Sequence, residues 1–393
     1  MNTPFDCRLS RPGVVCSLGD ELETVARALF AGERSLSVSD AFTPGRPLPL
    51  GRVTCELPDD SAWPKGQRSR NNRLLALALE RLGESLDALL TRVPAERIGV
   101  VIGTSTSGIG ETELALAESG RDGPLPESFA YSRQELGAPA RFVAERLGLR
   151  GPCYALSTAC SSSARALASA RRLLRSGQCD AVIAGGADSL CRLTVNGFAS
   201  LDAVSEEPCQ PFSRRRSGIN LGEAATLFIV TPEAGGIQLA GVGESVDAHH
   251  ISAPRPDGSG AVEAMHQALA MAGLQPDEVD YLNLHGTGTP LNDRMEAAAI
   301  TSLFGSPPAC SSTKALTGHT LGAAGALEAA FCWLTLRYGR LPRHVYDGEY
   351  DPEIPALPLV TSDAKPARAP RCALSNSFAF GGNNASLLLS LNA

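Results

Sequence analysis

Apolar and polar positions follow two rhythms along the chain. Arg97–Thr104 (RIGVVIGT), Cys153–Leu156, Ala181–Ala184 and Thr226–Val230 are short, nearly continuous apolar runs, as expected of strands buried on both faces. Arg133–Leu147, Ser161–Ser176, Gly260–Gly273, Asp293–Leu303 and Leu321–Tyr338 carry apolar residues at helical spacing, and Gly or Pro closes several of them. The strand pattern returns at Asp280–Leu284, Ala373–Ser375 and Ser386–Leu391. This alternation predicts a mixed α/β core with helices covering the sheets. The Pro/Gly-rich stretches Thr43–Gly51 and Ala253–Gly260 read as loops. A seam at Thr231–Gly236 (TPEAGG) separates one strand from the next strand-like run, Ile237–Val242. It divides the chain into residues 1–232 and 233–393, two halves of one globule because composition does not change across it.

Composition narrows the function classes. A chain of 393 residues, 43% hydrophobic, supplies a large core. The net charge of -7 argues against a nucleic-acid or anionic-membrane surface. The apolar runs are too short to span a bilayer, and MNTPFDCRLSRPG has no apolar stretch after a basic start. A cytoplasmic protein is expected. The 11 cysteines are odd in number and scattered, with no CxxC pair and no histidine at metal-ligand spacing. They read as small buried residues in a reducing compartment, and no metal is expected. Lysine is nearly absent, occurring only at Lys65, Lys314 and Lys365. Lys314, inside a dense polar motif, therefore stands out.

The chemistry concentrates in three places. The segment YALSTACSSSARALASARRLL sets Cys160 between a strand and a helix beginning at about Ser161. There, free N–H groups and the helix dipole stabilise a thiolate and can hold an oxyanion. Set against this is a buried structural cysteine beside an ordinary serine cap. His285 follows the strand YLNL and precedes the small, polar turn GTGTPLND; His319 lies in STKALTGHTLGAAGALEAA, again ahead of a small-residue helix. Either histidine alone would pass for a core or capping residue. The pair, with a strand-end cysteine elsewhere, suits a reaction with two charge-development events, whereas a Cys–His hydrolase needs one histidine and an orienting partner. Lys314 precedes His319, and Glu328 follows it. His249, His250, His266 and His344 lack such settings and read as structural or exposed.

Taken in order, STACSSSA, HGTGTPLND, STKALTGHTLGAAGALE and SNSFAFGGNNAS resemble the four signature segments of β-ketoacyl-acyl carrier protein (ACP) synthases of types I and II. Weaker similarity reaches GVVCSLGDELETVARALFAGERSL and CDAVIAGGADS, so the resemblance covers almost the whole chain. It implies the thiolase fold, two similarly folded halves packed as five layers, α-β-α-β-α, usually in a homodimer. Cys160 would be the acylated nucleophile, with the N–H groups of Cys160 and Phe378 as its oxyanion hole. His285 and His319 would stabilise the enolate formed when malonyl-ACP loses carbon dioxide, supported by Lys314 and Glu328. Thr287 and Thr289 would bind the phosphopantetheine arm, the only carrier group implied, since no bound cofactor is needed. Phe378 would gate the site, and Ile109 and Phe198 would line the acyl pocket. KGQRSRNNR aligns with a carrier-docking region and would offer Lys65, Arg68, Arg70 and Arg73 to an acidic carrier protein.

The pattern also departs from the family. The glycine-rich first strand is reduced to FDCRLSRPG, NNAS replaces TNAS, and Ala379 stands where glycine commonly lets the gating loop move. The short length and the STACSSSA variant are similar to synthases of polyene-type secondary pathways, including aryl polyene clusters. Three other readings compete: a non-catalytic chain-length-factor subunit of a heterodimer, which usually lacks the cysteine; a CoA-dependent thiolase, whose second cysteine sits in a CxGxG setting that Cys372 does not have; and a thioesterase.

Overall fold

The computed structural model describes residues 5–120, 123–362, 366 and 368–392. Its strands are Arg8–Leu9 (β1), Gly13–Val15 (β2), Ser37–Ser39 (β3), Leu48–Leu50 (β4), Ile98–Gly103 (β5), Cys153–Leu156 (β6), Ala181–Asp188 (β7), Ala224–Thr231 (β8), Gly236–Val246 (β9), Tyr281–Asn283 (β10), Ala309–Ser311 (β11), Cys372–Ala379 (β12) and Asn383–Asn392 (β13). All but β3 and β4 join one sheet, ordered β11-β10-β12-β13-β9-β1-β8-β7-β5-β6, with β2 also on β8. Two blocks within it are built alike. In β6-β5-β7-β8 the first three strands are parallel and the fourth antiparallel; β11-β10-β12-β13 repeats that arrangement.

Each block sends a helix into the middle of the molecule. Ser162–Arg175 follows β6, Ala324–Tyr338 follows β11, and the two pack against each other and against strands of both blocks. They cross where a Cβ on Gly325 would lie 2.7 Å from the Cβ of Ala164, so only glycine allows that approach. The helices Arg70–Leu82 and Ala138–Leu147 cover the outer face of the first block, and Ser259–Ala272 and Pro290–Phe304 that of the second. The result is a helix-sheet-helix-sheet-helix stack. Because Cys160 and His319 each precede a central helix, the crossing of those helices brings the two residues together.

Local chemistry explains the departures from the expected elements. The stretch read as one helix, Arg133–Leu147, is a single turn, Tyr131–Gln134, and a separate helix, Ala138–Leu147, broken at Gly137 before Pro139. The loop expected over Thr43–Gly51 contains β4, which pairs with β3. The reduced first strand is two short pieces, β1 and β2, flanking Pro12, which lacks the N–H a ladder needs. The helix expected from Leu321 begins at Ala324 after a 3-10 turn.

Candidate active site

Past the end of β6 the chain turns sharply. Ala159 takes a left-handed φ of 52°, Thr158 N–H donates to the Ser162 hydroxyl at 2.9 Å, and Ser161 precedes the first helical residue, Ser162. Cys160 is thus held, buried, at the head of the central helix. His319 lies ahead of the other central helix, with its Nε2 2.9 Å from Cys160 Sγ. His285, two residues beyond β10, stands edge-on to His319 with ring centroids 5.5 Å apart. One ligating atom from each of the three residues lies within 4.8 Å of the others.

Behind the histidines sits Lys314, buried on a single helical turn, Lys314–Thr317. Its Nζ donates to the His285 carbonyl at 2.6 Å, lies 3.4 Å from His285 Nδ1 and forms a short ion pair with Glu328. The structure therefore brings together Cys160, His285, His319, Lys314 and Glu328. Removing one partner from such a buried pair leaves the other charge stranded, which costs about 3–5 kcal/mol, whereas replacing both with apolar groups costs far less. Lys314→Met should lower the free energy of unfolding by an amount in that range, and Lys314→Met with Glu328→Leu should recover much of it. Additive losses in urea titrations of the two single variants and the double variant would contradict this coupling.

Burial sets the protonation states. It pushes the Cys160 thiol up to about 12, against the opposing pull of the Lys314 charge and of a hydrogen bond from the Phe380 backbone N–H. Burial, reinforced by Lys314, holds both His285 and His319 well below the usual imidazole range. The resting pair is a neutral thiol against a neutral imidazole, not the thiolate expected from the helix dipole alone. Desolvation outweighs that dipole here. Although a cysteine and two histidines could ligate a cation, the adjacent buried Lys314 ammonium repels one. The donor set does not fit a metal.

Cys160, His285 and His319 open onto a cavity of about 270 Å³ with Phe198, Phe378 and Phe380 on its walls. Thr287 and Thr289 also line it, their hydroxyls 2.9 Å apart. One assignment changes, and two other residues are placed. The backbone N–H that reaches Cys160 is that of Phe380, not Phe378. Phe378 lies inside the β12–β13 ladder opposite Asn384, whereas Phe380 starts the turn beyond the last paired residue, Ala379. Ala379 itself is extended (φ −98°), so its Cβ is unstrained there, and the left-handed residues of the turn are Gly381 and Gly382. Ile109, half-buried at the start of the helix Ile109–Ser119, is not among the residues lining this cavity.

Of the four basic residues, Lys65 and Arg68 are exposed, but Arg70 and Arg73 are engaged internally. Arg70 donates twice to the buried Glu223, at 2.6 and 2.8 Å, and Arg73 donates to the carbonyls of Leu57 and Pro58. Their guanidiniums brace the segment 53–58 instead of facing a partner. The other histidines follow expectation: His344 is buried between Ser312 N and the Pro211 carbonyl, and His249, His250 and His266 are exposed.

Sequence reading missed two carboxylates. Glu296 accepts from the backbone N–H groups of His285 and Gly286, each at 2.7 Å, and Asp293 from those of Thr287 and Gly288. Both hang from one face of Pro290–Phe304, three residues apart, and hold the turn that carries His285. An i, i+3 carboxylate pair just after the glycine-rich turn was the available signal. Burial pushes Glu296 up to about 7.

Comparison with known proteins agrees with this construction. The model of the β-ketoacyl synthase N-terminal domain matches residues 13–234, and that of the C-terminal domain matches residues 237–346. The chain is 38% identical over 305 residues to nodulation protein E of Rhizobium meliloti, 75% of each chain. It is 35% identical over 312 residues to 3-oxoacyl-[acyl-carrier-protein] synthase 2 of Staphylococcus aureus, 75% of this chain and 77% of that one. Among solved structures, the ketosynthase ApeO in complex with its chain length factor ApeC, from Xenorhabdus doucetiae, superposes with a TM-score of 0.93 at 44% identity, each chain fully covered. The ishigamide ketosynthase/chain length factor gives 0.89 at 26% identity. Paired thiolase-like blocks around a Cys–His–His centre, matched over this length, place the chain in the β-ketoacyl synthase family.

Proposed function

We propose that the chain is the catalytic ketosynthase of a carrier-protein-dependent pathway, joining an acyl group on Cys160 to malonyl-ACP with loss of carbon dioxide. The observation that carries this reading is the 2.9 Å contact of Cys160 Sγ with His319 Nε2, beside His285, at the foot of the cavity. In the first half-reaction the thiol gives its proton to His319 as sulfur attacks the acyl carbonyl. The Cys160 and Phe380 N–H groups receive the oxyanion. The carrier thiolate leaves and takes up the proton. In the second, the malonyl C–C bond breaks, carbon dioxide departs, and the enolate oxygen is held by the neutral imidazoles of His285 and His319. The enolate carbon attacks the thioester, and the Cys160 sulfur leaves with the electron pair and takes up a proton from solvent, which restores the resting thiol. Lys314, Glu328, Glu296 and Asp293 hold this arrangement. Thr287 and Thr289 bind the phosphopantetheine arm, and Phe198 and Phe378 border the acyl group.

The relatives support a place in fatty acid or polyketide synthesis, with the substrate carried on ACP. Pairing with a second thiolase-fold chain follows from the likeness to ApeO, solved with a chain length factor. Presence of the cysteine and both histidines favours the catalytic subunit over the non-catalytic one. Cytoplasmic location and the division into halves at residues 232 and 233 complete the reading; among the described residues no helix is long and apolar enough to cross a membrane. Incubation with acyl-ACP and malonyl-ACP tests it: carbon dioxide and β-ketoacyl-ACP are expected in equal amounts, and hydrolysis or carbon dioxide without condensation would reject it.

The exposed residues Lys65 and Arg68 form the remaining docking patch for an acidic carrier. Lys65→Glu with Arg68→Glu should raise KM for acyl-ACP several-fold and leave a pantetheine-thioester mimic unaffected. Equal losses on both substrates would remove the patch.

A further inference from the structure

His319 is held through its backbone as well as its ring. Its N–H donates to the Asn220 carbonyl at 2.7 Å, and its carbonyl accepts from the Gly222 N–H at 2.9 Å, so the triplet 220–222 grips it on both sides. What places that triplet is the Asn220 side chain, which is fully buried. Asn220 Oδ1 accepts from the Cys209 N–H at 2.6 Å, while Nδ2 donates to the carbonyls of Ser205 and Glu207, each at 3.1 Å. One amide thus satisfies three backbone groups of the segment 205–209, and that segment continues from Leu201, Asp202 and Ala203 on the cavity wall.

We infer that Asn220 is a positioning residue that sets His319 against Cys160 by locking the segment 205–209 to the residues gripping the imidazole's backbone. The inference rests on the role proposed for His319 and extends it to a residue outside the four signature segments. An apolar residue would fill the space, but it would leave one N–H and two carbonyls buried without partners. A carboxylate would keep the acceptor for Cys209 and turn a negative oxygen toward two carbonyls. An amide serves all three. Misplacing a reacting group by about 1 Å costs on the order of 10²-fold in rate, so a small shift of the triplet is enough to matter.

Asn220→Asp provides the test, because protonation restores a donor. Burial and the facing carbonyls favour the neutral acid in the variant. The titratable group in contact is the Cys209 thiol, pushed up to about 11 by burial, with Arg34, Asp293 and Lys314 acting on it from beyond. In the full-length protein at pH 8, Asn220→Asp should lower kcat for malonyl-ACP decarboxylation about 10²-fold with KM within about twofold. At pH 5.5 most of the loss relative to wild type should be recovered. Cys160 alkylation by iodoacetamide, which needs no carrier substrate, should change at least threefold at pH 8 and recover likewise. Wild-type kcat and alkylation at pH 8, or losses equal at both pH values, would overturn the inference. His319→Ala measured alongside separates the two ideas. If it decarboxylates normally, the role of His319 fails, and the alkylation rates alone decide whether Asn220 positions the ring.

Discussion

Cys160→Ala should abolish self-acylation and condensation while malonyl-ACP is still decarboxylated. The first loss is chemical. Cys160 is the thiol that both opens onto the cavity and touches an imidazole, at 2.9 Å. Alanine offers no nucleophile, and among the described residues no other thiol lines this cavity. Retention of decarboxylation follows from the division of labour in the site: breaking the malonyl C–C bond calls on donors to the enolate oxygen, and these are His285, held by Lys314, and His319, whose backbone is gripped by Asn220 and Gly222. The variant should also fold, because removing one buried sulfur beside small residues creates little space. Intact-mass spectra after exposure to acyl-ACP read the first half of the expectation, and release of labelled carbon dioxide from malonyl-ACP reads the second. Acyl adducts persisting in Cys160→Ala would mean that the nucleophile lies elsewhere.

The histidine variants should show the converse. His285→Ala and His319→Ala each remove a donor to a developing oxyanion, a loss that typically costs on the order of 10²–10³ in rate. Decarboxylation should fall by that factor in both. Self-acylation should suffer less in His285→Ala, because only His319 touches the sulfur. Protonation states give this expectation a second face. Burial and Lys314 hold both rings far below the ordinary imidazole range, so they stay neutral across pH 6–8 and would gain a proton only at much lower pH. Wild-type decarboxylation should therefore show no inflection from imidazole titration near pH 6.5. Glu296, which titrates at about 7, can be separated from the rings with Glu296→Gln, in which any inflection due to that carboxyl disappears. An inflection near pH 6.5 that survives Glu296→Gln would mean that the imidazoles act as cations.

How much of this was legible beforehand depended on whether local sequence carries the information. The strands β5, β7 and β8 were readable because strands buried on both faces are continuous apolar runs, and the central helices because their small, apolar faces keep a helical period. Cys160 and His285 announced themselves by following strands, and Cys160 and His319 by preceding small-residue helices. That they converge is a tertiary fact, fixed by the crossing at Ala164 and Gly325, which no local pattern contains. Arg70 and Arg73 misled because a basic run looks the same whether it faces solvent or, as here, Glu223 and two carbonyls. The shift from Phe378 to Phe380 has a similar cause, since only strand register decides which N–H is already spent in the ladder. Asn220 was invisible: a single amide between Ile219 and Leu221 gives no hint that it joins three backbone groups.

The most direct test of the central claim is a single-turnover chase on the wild-type protein. The enzyme is loaded with acyl-ACP and freed of carrier; one portion is digested to locate the acyl group, and the intact remainder is mixed with malonyl-ACP labelled in its free carboxyl. The account predicts an acyl thioester on the peptide carrying Cys160, which disappears at the rate at which labelled carbon dioxide and β-ketoacyl-ACP appear, one of each per acyl group lost. Loss of the acyl group to water, or carbon dioxide released while the thioester remains on Cys160, would contradict it.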